Sequence, residues 1–284
     1  MKTAKIISTL SLTIIGALYG ATPAFAAPIL GSDLASFAVL GATGVTNVPT
    51  STIGGNLGSA PTAAVGGGYV FSFGSLQANT ALAQNAQIQL DAAILSVNAF
   101  LPVATITDGN LDAFQITQGG VINPGTYAVA AATTNLAGNL ILDGGGSNTA
   151  VWNFQFTSSL ITGSSSNVLV QNVGDGSGVG IYWTVGSAAT LNGNTFAGNV
   201  LANQLISSDG NLTLGCGRLL SAESQVTLIQ DTISLGCAGF VSSGGFDQGN
   251  TNTGAPGQAV PEPATLALLG LGLMGLGLSR RRRT

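Results

Sequence analysis

The chain has 284 residues, of which 45% are apolar and only 6% charged, with a net charge of −4 and no histidine. Lys2, Lys5 and Arg280–Arg283 account for six of the seven basic residues, leaving Arg218 alone in the middle of the chain. This excludes nucleic-acid binding, which needs clustered Lys and Arg, and with it histidine acid–base chemistry, histidine-ligated metals and lysine Schiff-base chemistry.

Residues 1–26 read as a secretory signal peptide. Lys2 and Lys5 precede an apolar run from Ile6 to Ala21, and Ala24-Phe25-Ala26 supplies the small-x-small pattern for cleavage between Ala26 and Ala27. Residues 27–239 suffice for one domain. Within it, residues 76–101 hold neither Gly nor Pro. Leu76, Ala83, Ala86, Leu90, Ile94, Val97 and Leu101 recur at helical spacing, which predicts one long amphipathic helix over about 76–101, stopped by Pro102. Asp108-Gly109-Asn110-Leu111-Asp112 has the composition of a calcium loop but lacks the later bidentate Glu, so it reads as a turn; no metal and no cofactor is expected.

The rest reads as short strands cut by Gly, Ser and Asn turns: residues 151–156, 168–170, 181–185, 211–214 and 226–235. A hexamer returns among them. Thr52-Ile53-Gly54-Gly55-Asn56-Leu57 recurs as Asn135-Leu136-Ala137-Gly138-Asn139-Leu140 and as Thr195-Phe196-Ala197-Gly198-Asn199-Val200, with a weaker copy at Cys216-Gly217-Arg218-Leu219. The shared glycines at 55, 138, 198 and 217 fall near multiples of a coil of about 20 residues, the size found in β-solenoids. A β-sandwich would also use short strands but gives no reason for the hexamer to return. Strand alternation points Ile53, Leu136 and Phe196 inward and turns Thr52, Gly54, Asn56, Asn135, Ala137, Asn139, Thr195, Ala197 and Asn199 outward, a small and uncharged surface. The same Gly and Asn residues also suit the corners of any solenoid. Cys216 and Cys237 lie about one coil apart, and export favours a disulfide between them over two buried thiols.

Residues 240–259 are rich in Ser, Gly, Asn, Thr and Gln and read as a flexible linker. Beyond it, Pro261-Glu262-Pro263 is followed by fifteen uncharged residues, Ala264 to Leu278, and then by the four arginines. As a helix that stretch spans about 22 Å, short of the roughly 30 Å hydrocarbon core of a bilayer. This ending, residues 260–284, resembles the PEP-CTERM sorting signal of Gram-negative bacteria. The resemblance implies recognition by an exosortase-type sorting enzyme, transient membrane anchoring and display at the cell surface or secretion.

Leu30-Gly31-Ser32 with Ala35-Ser36-Phe37-Ala38-Val39-Leu40-Gly41 resembles the opening of the microbial ice-binding proteins with a discontinuous β-solenoid. Ile122-Asn123-Pro124-Gly125-Thr126-Tyr127, Val151-Trp152-Asn153-Phe154-Gln155 and Tyr182-Trp183-Thr184-Val185-Gly186-Ser187 continue the match in order. The resemblance implies a mainly β fold, a right-handed three-faced parallel β-helix with one long α-helix packed alongside. It also implies a non-catalytic monomer that adsorbs to ice through one flat face, with ice or ordered water as its partner. The middle hexamer departs from the Thr-rich arrays of the family by carrying Asn135 in place of a leading Thr. The alternative is a structural or adhesive protein of the cell surface or polysaccharide matrix. A groove lined by Trp152, Trp183 or Tyr182 would favour it, whereas a flat array of small residues favours ice.

Overall fold

The computed structural model describes residues 29–237 and 246–247. The expected leader and sorting segment lie outside them. In chain order the elements are α1 (Ser32–Ala35), β1 (Phe37–Gly41), β2 (Gly44–Val48), β3 (Ser51–Gly54), β4 (Asn56–Ser59), β5 (Tyr69–Phe73), β6 (Leu76–Ala78), α2 (Ala81–Asn98), β7 (Ala104–Ile106), α3 (Leu111–Thr117), β8 (Gly125–Val129), β9 (Asn139–Asp143) and β10 (Val151–Phe156). They continue with β11 (Leu160–Ile161), β12 (Asn167–Gln171), β13 (Gly180–Val185), β14 (Ala189–Leu191), β15 (Thr195–Ala202), β16 (Ile206–Ser208), β17 (Thr213–Ser221), β18 (Gln225–Ile229) and β19 (Thr232–Ser234).

Every pairing between these strands is parallel, and the pairings form three ladders. Ladder A runs β6-β4-β1-β17-β15-β13-β10-β8-β7. Ladder B runs β11-β14-β16-β18-β2. Ladder C runs β5-β3-β19-β17-β15-β12-β9. Strands β15 and β17 serve two ladders because each bends midway. Gly198 bends β15 with φ 96°, and a Cβ added to Gly217 of β17 would run into the Gly198 backbone, so both corners require glycine. The first coil does not stack on the second alone, since β1 lies between β17 and β4. The N-terminal and C-terminal coils are therefore neighbours.

Ladder A is buried on both sides, as its continuous apolar strands require. Its inner side joins the main core, where Tyr127, Phe154 and Trp183 stack in series; the Phe154 and Trp183 centroids are 4.3 Å apart. Its outer side packs Phe37, Tyr182, Leu201 and Leu220 against Ala83, Ala86, Leu90, Ala93, Ile94 and Val97 of α2. This is the expected helical stripe, within narrower bounds than 76–101. Leu76 pairs with Leu57 in β6, Asn79 takes φ 50°, and the Thr80 side chain caps the helix by accepting from the Ala83 N–H. At the other end the helix stops at Asn98, and Leu101 is exposed.

Two further contacts tie coils together. Cys216 and Cys237 form a disulfide with their Cα atoms 4.4 Å apart. Phe246 and Asp247, inside the expected linker, are buried against ladder A: the Phe246 carbonyl accepts from Ile181 N–H and Asn199 Nδ2, and Asp247 accepts from Tyr182 OH at 2.9 Å and Leu30 N–H at 3.3 Å. Beside them Arg218 is fully buried, donating to the Ala35 carbonyl and to Asn199 Oδ1. Burial lowers its pKa and the Asp247 charge opposes that shift.

Candidate functional site

With α2 lying on ladder A, the outer sides of ladders B and C are the broad sheet surfaces left open. Ladder C carries one continuous rank in register: Thr52, Thr232, Thr213, Thr195, Asn167 and Asn139. The four threonines cover three strand spacings, about 14 Å, and the two asparagines extend the rank to about 24 Å. Thr195 Oγ1 donates to Asn167 Oδ1, and Asn167 Nδ2 donates to Asn139 Oδ1, both at 2.9 Å, so the polar side chains are held in line.

Two residues further along each Thr-bearing strand, a second rank consists of Gly54, Ser234, Gly215 and Ala197. Between the ranks Ile53, Ile233, Leu214 and Phe196 point into the core. Each of these four strands therefore reads Thr, large apolar, small. A Cβ added to Gly215 would meet nothing within 4 Å, which places that position on an open surface. None of these eight residues is charged; Gly54 is buried beneath the Ser72, Phe73 and Ser234 side chains and Ala197 is buried at the margin of the core, so the threonines with Ser234 and Gly215 form the accessible part. The nearest acid in the ladder is Asp143 at the end of β9, whose pKa is lowered by the Gly145 N–H and by Gln171. It stays ionised and marks a hydrated margin.

Ladder B presents a shorter rank of Thr46, Thr227, Ser207, Thr190 and Ile161, with Thr46 Oγ1 donating to Thr227 Oγ1 at 3.1 Å. Its pairings run without a register shift.

The hexamer residues separate in space. Thr52, Gly54, Thr195, Ala197 and Asn139 join the two ranks of ladder C. Ala137 is exposed at the corner before β9, with its N–H given to Asp112. The remaining asparagines hold corners together. Asn56 bridges Ser36 and Ser75. Asn135 is buried, donating to the Gly109 carbonyl and accepting from Ile161 N–H. Asn199 is buried between the Ile181 and Phe246 carbonyls and Arg218. Their side-chain amides substitute for backbone groups where the chain turns from one ladder to the next.

Thr213, Gly215, Thr232, Ser234 and Asn167 were not among the hexamer residues. Cys216 is the reason in β17. It is an extra residue at φ 62° opposite the Ala197–Gly198 step, and it shifts Thr213 out of the hexamer spacing. The triplet Thr, large apolar, small is the signal common to all four strands. Asp112 spends its carboxylate on the Ala137 and Gly138 N–H groups, and Asp108 accepts from Asn110 N–H, so both serve turns. Trp152, Trp183 and Tyr182 are fully buried, which leaves no aromatic platform for a sugar among these three.

This geometry, a parallel β structure with a bare, ranked and uncharged sheet surface, coincides with a known family. Residues 39–234 match the Ice-binding-like family, and the chain belongs to it. Residues 259–283 match the PEP-CTERM protein-sorting motif. An ice-binding protein of Nostoc sp. (strain HG1) is 30% identical over 204 residues, covering 71% of this chain and 72% of the relative. One from Flavobacterium frigoris (strain PS1) is 26% identical over 226 residues, covering 71% and 74%. Among solved structures, the ice-binding protein of the Antarctic ascomycete Antarctomyces psychrotrophicus has a TM-score of 0.61 at 28% identity, covering 74% of this chain and 99% of that one. An ice-binding protein from an Antarctic biological consortium has the same TM-score and identity, covering 82% and 96%.

Proposed function

We propose that the protein is a non-catalytic ice-binding protein that adsorbs to ice through the outer side of ladder C. The observation that carries this reading is the register of Thr52, Thr232, Thr213 and Thr195 beside Gly54, Ser234, Gly215 and Ala197. Ice offers no charge and no pocket-filling group. A surface recognises it by holding waters at regular spacing, with hydroxyls as anchors and methyls that limit competing hydration. Parallel strands supply one repeat of about 4.8 Å and alternate residues supply the other, near 6.7 Å. The three ladders form the faces of a right-handed β-helix in this reading, consistent with the handedness of parallel crossovers. Ladder B is a second reading of the site, favoured by its unbroken register.

The signal peptide of residues 1–26 directs export and leaves after Ala26. The PEP-CTERM segment is a substrate for an exosortase-type enzyme and anchors the chain transiently in the membrane of a Gram-negative cell, so the domain acts at the surface or in secreted form.

The experiment is an ice-recrystallisation assay on residues 27–258 with Thr213→Tyr and Thr227→Tyr. Both positions are on outer sides, so both variants should keep the wild-type circular dichroism. Loss of inhibition in Thr213→Tyr alone supports ladder C, and loss in Thr227→Tyr alone moves the site to ladder B. A folded but inactive wild-type fragment rejects the function.

A further inference from the structure

A surface helix normally turns its polar side to water. Helix α2 does not. Ala83, Ala86, Leu90, Ala93 and Val97 are its buried side, and the line directly opposite them is Ala81, Ile88, Ala92, Leu95 and Ala99, all exposed. Ile88 and Leu95 are 69% and 73% exposed, and just past the helix Leu101 and Val103 are 88% and 71% exposed. From Ala81 to Ala99 the line runs about 27 Å. The one charged residue of α2 is Asp91, three past Ile88 and four before Leu95, at the border of the line. No base is exposed among the described residues, since Arg218 is fully buried. The two ends of the described chain meet beside this helix. Leu30 N–H donates to Asp247 at 3.3 Å, Leu34 N–H donates to Gln89 Oε1 of α2 at 2.8 Å, and a Cβ on Gly31 would strike the Gln89 side chain. Sixteen residues, 248–263, separate Asp247 from the uncharged stretch 264–278 of the matched sorting motif. A Gly-rich chain of that length averages about 22 Å end to end, about twice the width of a helix.

We propose that the outer face of α2 rests on the surface of the zwitterionic lipid bilayer that receives the sorting segment, in the manner of an interfacial helix. The proposal rests on the reading above that residues 264–278 enter the membrane. Once they do, the tether holds Asp247, and α2 beside it, within about 22 Å of the lipid, so helix and bilayer meet as parts of one assembly at high effective concentration. The chemistry of the face suits that occupant. Its apolar line has no charge to desolvate, and Asp91 at the border stays at headgroup level, where ammonium groups of the lipid can meet it. A second copy would offer the same line together with its own Asp91. Helix on helix, the two carboxylates would be enclosed with no exposed base to meet them. Because α2 covers ladder A, contact through its outer face also keeps the outer sides of ladders B and C off the lipid.

The test uses residues 27–284 reconstituted with phosphatidylcholine vesicles, carrying an environment-sensitive fluorophore on Leu95→Cys or, for comparison, on Thr213→Cys of ladder C. Both positions are exposed, and circular dichroism checks that both chains fold. The expected result is blue-shifted emission at the α2 label, quenched by acyl-brominated lipid at least about threefold more than emission at the ladder C label. Ile88→Glu/Leu101→Glu in the labelled Leu95→Cys chain should remove most of that excess, because carboxylates then face the acyl chains. Equal quenching at the two labels, in protein that floats with the vesicles, overturns the contact and leaves the anchoring reading standing. A chain that does not float overturns the anchoring reading and the contact with it. Blue-shifted emission at the α2 label that brominated lipid leaves unchanged also overturns the contact. It assigns the face to a second copy if the shift fades as protein is diluted in the vesicles, and to the chain's own sorting segment if it persists.

Discussion

Reducing the Cys216–Cys237 disulfide should lower the melting temperature by about 7 °C without abolishing ice activity. The bond closes a loop of 21 residues that contains the second half of β17, all of β18 and β19, and therefore Thr232. In the chain-entropy model, releasing a loop of that length returns about 3 kcal/mol of conformational freedom to the unfolded chain. For roughly 210 described residues the unfolding entropy is about 0.44 kcal/mol per kelvin, which converts that loss to about 7 °C. The native side of the equilibrium changes little, because β19 is held between β17 and β3 and its Thr232 stays in rank. The assay is scanning calorimetry of residues 27–258, oxidised and reduced, beside Cys216→Ala/Cys237→Ala, with thiol content checked by mass. Recrystallisation is measured near the freezing point, far below either transition, so both forms should remain active. A shift below about 2 °C in fully reduced protein would falsify the loop argument. Loss of ice activity in reduced protein that is still folded would show that the bond orders the array itself.

Three other outcomes follow from buried groups and corners. Asp247→Asn keeps a hydrogen-bond acceptor for Tyr182 but removes the charge beside the buried Arg218 guanidinium, a loss of about 3–5 kcal/mol and hence about 7–11 °C in calorimetry; a variant within 1 °C of wild type by the same scale refutes it. Burial raises the Asp231 carboxyl pKa above 3.8, so its protonation adds stability as pH falls through the folded value and is complete below 3.8; hydrogen bonds lower Asp143, which instead loses its contribution as pH falls. Carboxyl NMR should therefore find Asp231 titrating above Asp143, and the reverse order rejects the assignment. Gly215→Ala should change stability by less than about 0.5 kcal/mol, because its Cβ enters open space, whereas Gly217→Ala, which strikes the Gly198 backbone, should cost about 1–3 kcal/mol or more in urea unfolding.

What the sequence revealed depended on whether a signal was local. The hexamer located Thr52, Asn139 and Thr195 at the ladder C surface, since they obey simple strand alternation within their own coils; Gly54 and Ala197 keep that alternation but are buried by their neighbours. It failed at Thr213 because a single inserted residue, Cys216, breaks the count at the corner. It also placed Asn56, Asn135 and Asn199 with the outward set. Alternation holds along a strand, but these asparagines follow or precede a bend, where Asn135 and Asn199 turn inward to satisfy the backbone of adjoining coils and the half-buried Asn56 bridges Ser36 and Ser75. The helix ran too long in the sequence because Leu76 and Leu101 extend the apolar stripe by coincidence; Thr80, a sound capping residue, was the available sign of its true start. Phe246 and Asp247 read as linker because their neighbours are small and polar. Their partners, Tyr182, Asn199 and Arg218, are tens of residues away.

The order of strands in ladder C gives the array a dependence that no single repeat contains. Thr52 comes from the first coil, whereas Thr232, Thr213 and Thr195 come from the last three, and β3 reaches them only because β1 and β3 dock on β17 and β19. The rank of four therefore exists only when the two ends of the domain have met. The bonds at that junction connect residues far apart in sequence: Arg218 to the Ala35 carbonyl across 183 positions, and Leu30 N–H to Asp247 across 217. Closing such long loops is slow and entropically costly, and at this closure the fully buried Arg218 must reach the Ala35 carbonyl and Asn199 for its charge to be satisfied. A slip of one residue between β3 and β19 would turn Thr52 inward and Ile53 outward, removing the end of the rank while leaving every other coil intact. The buried Arg218, the one basic residue the domain retains, thus sits where register matters most to the proposed ice-contact surface.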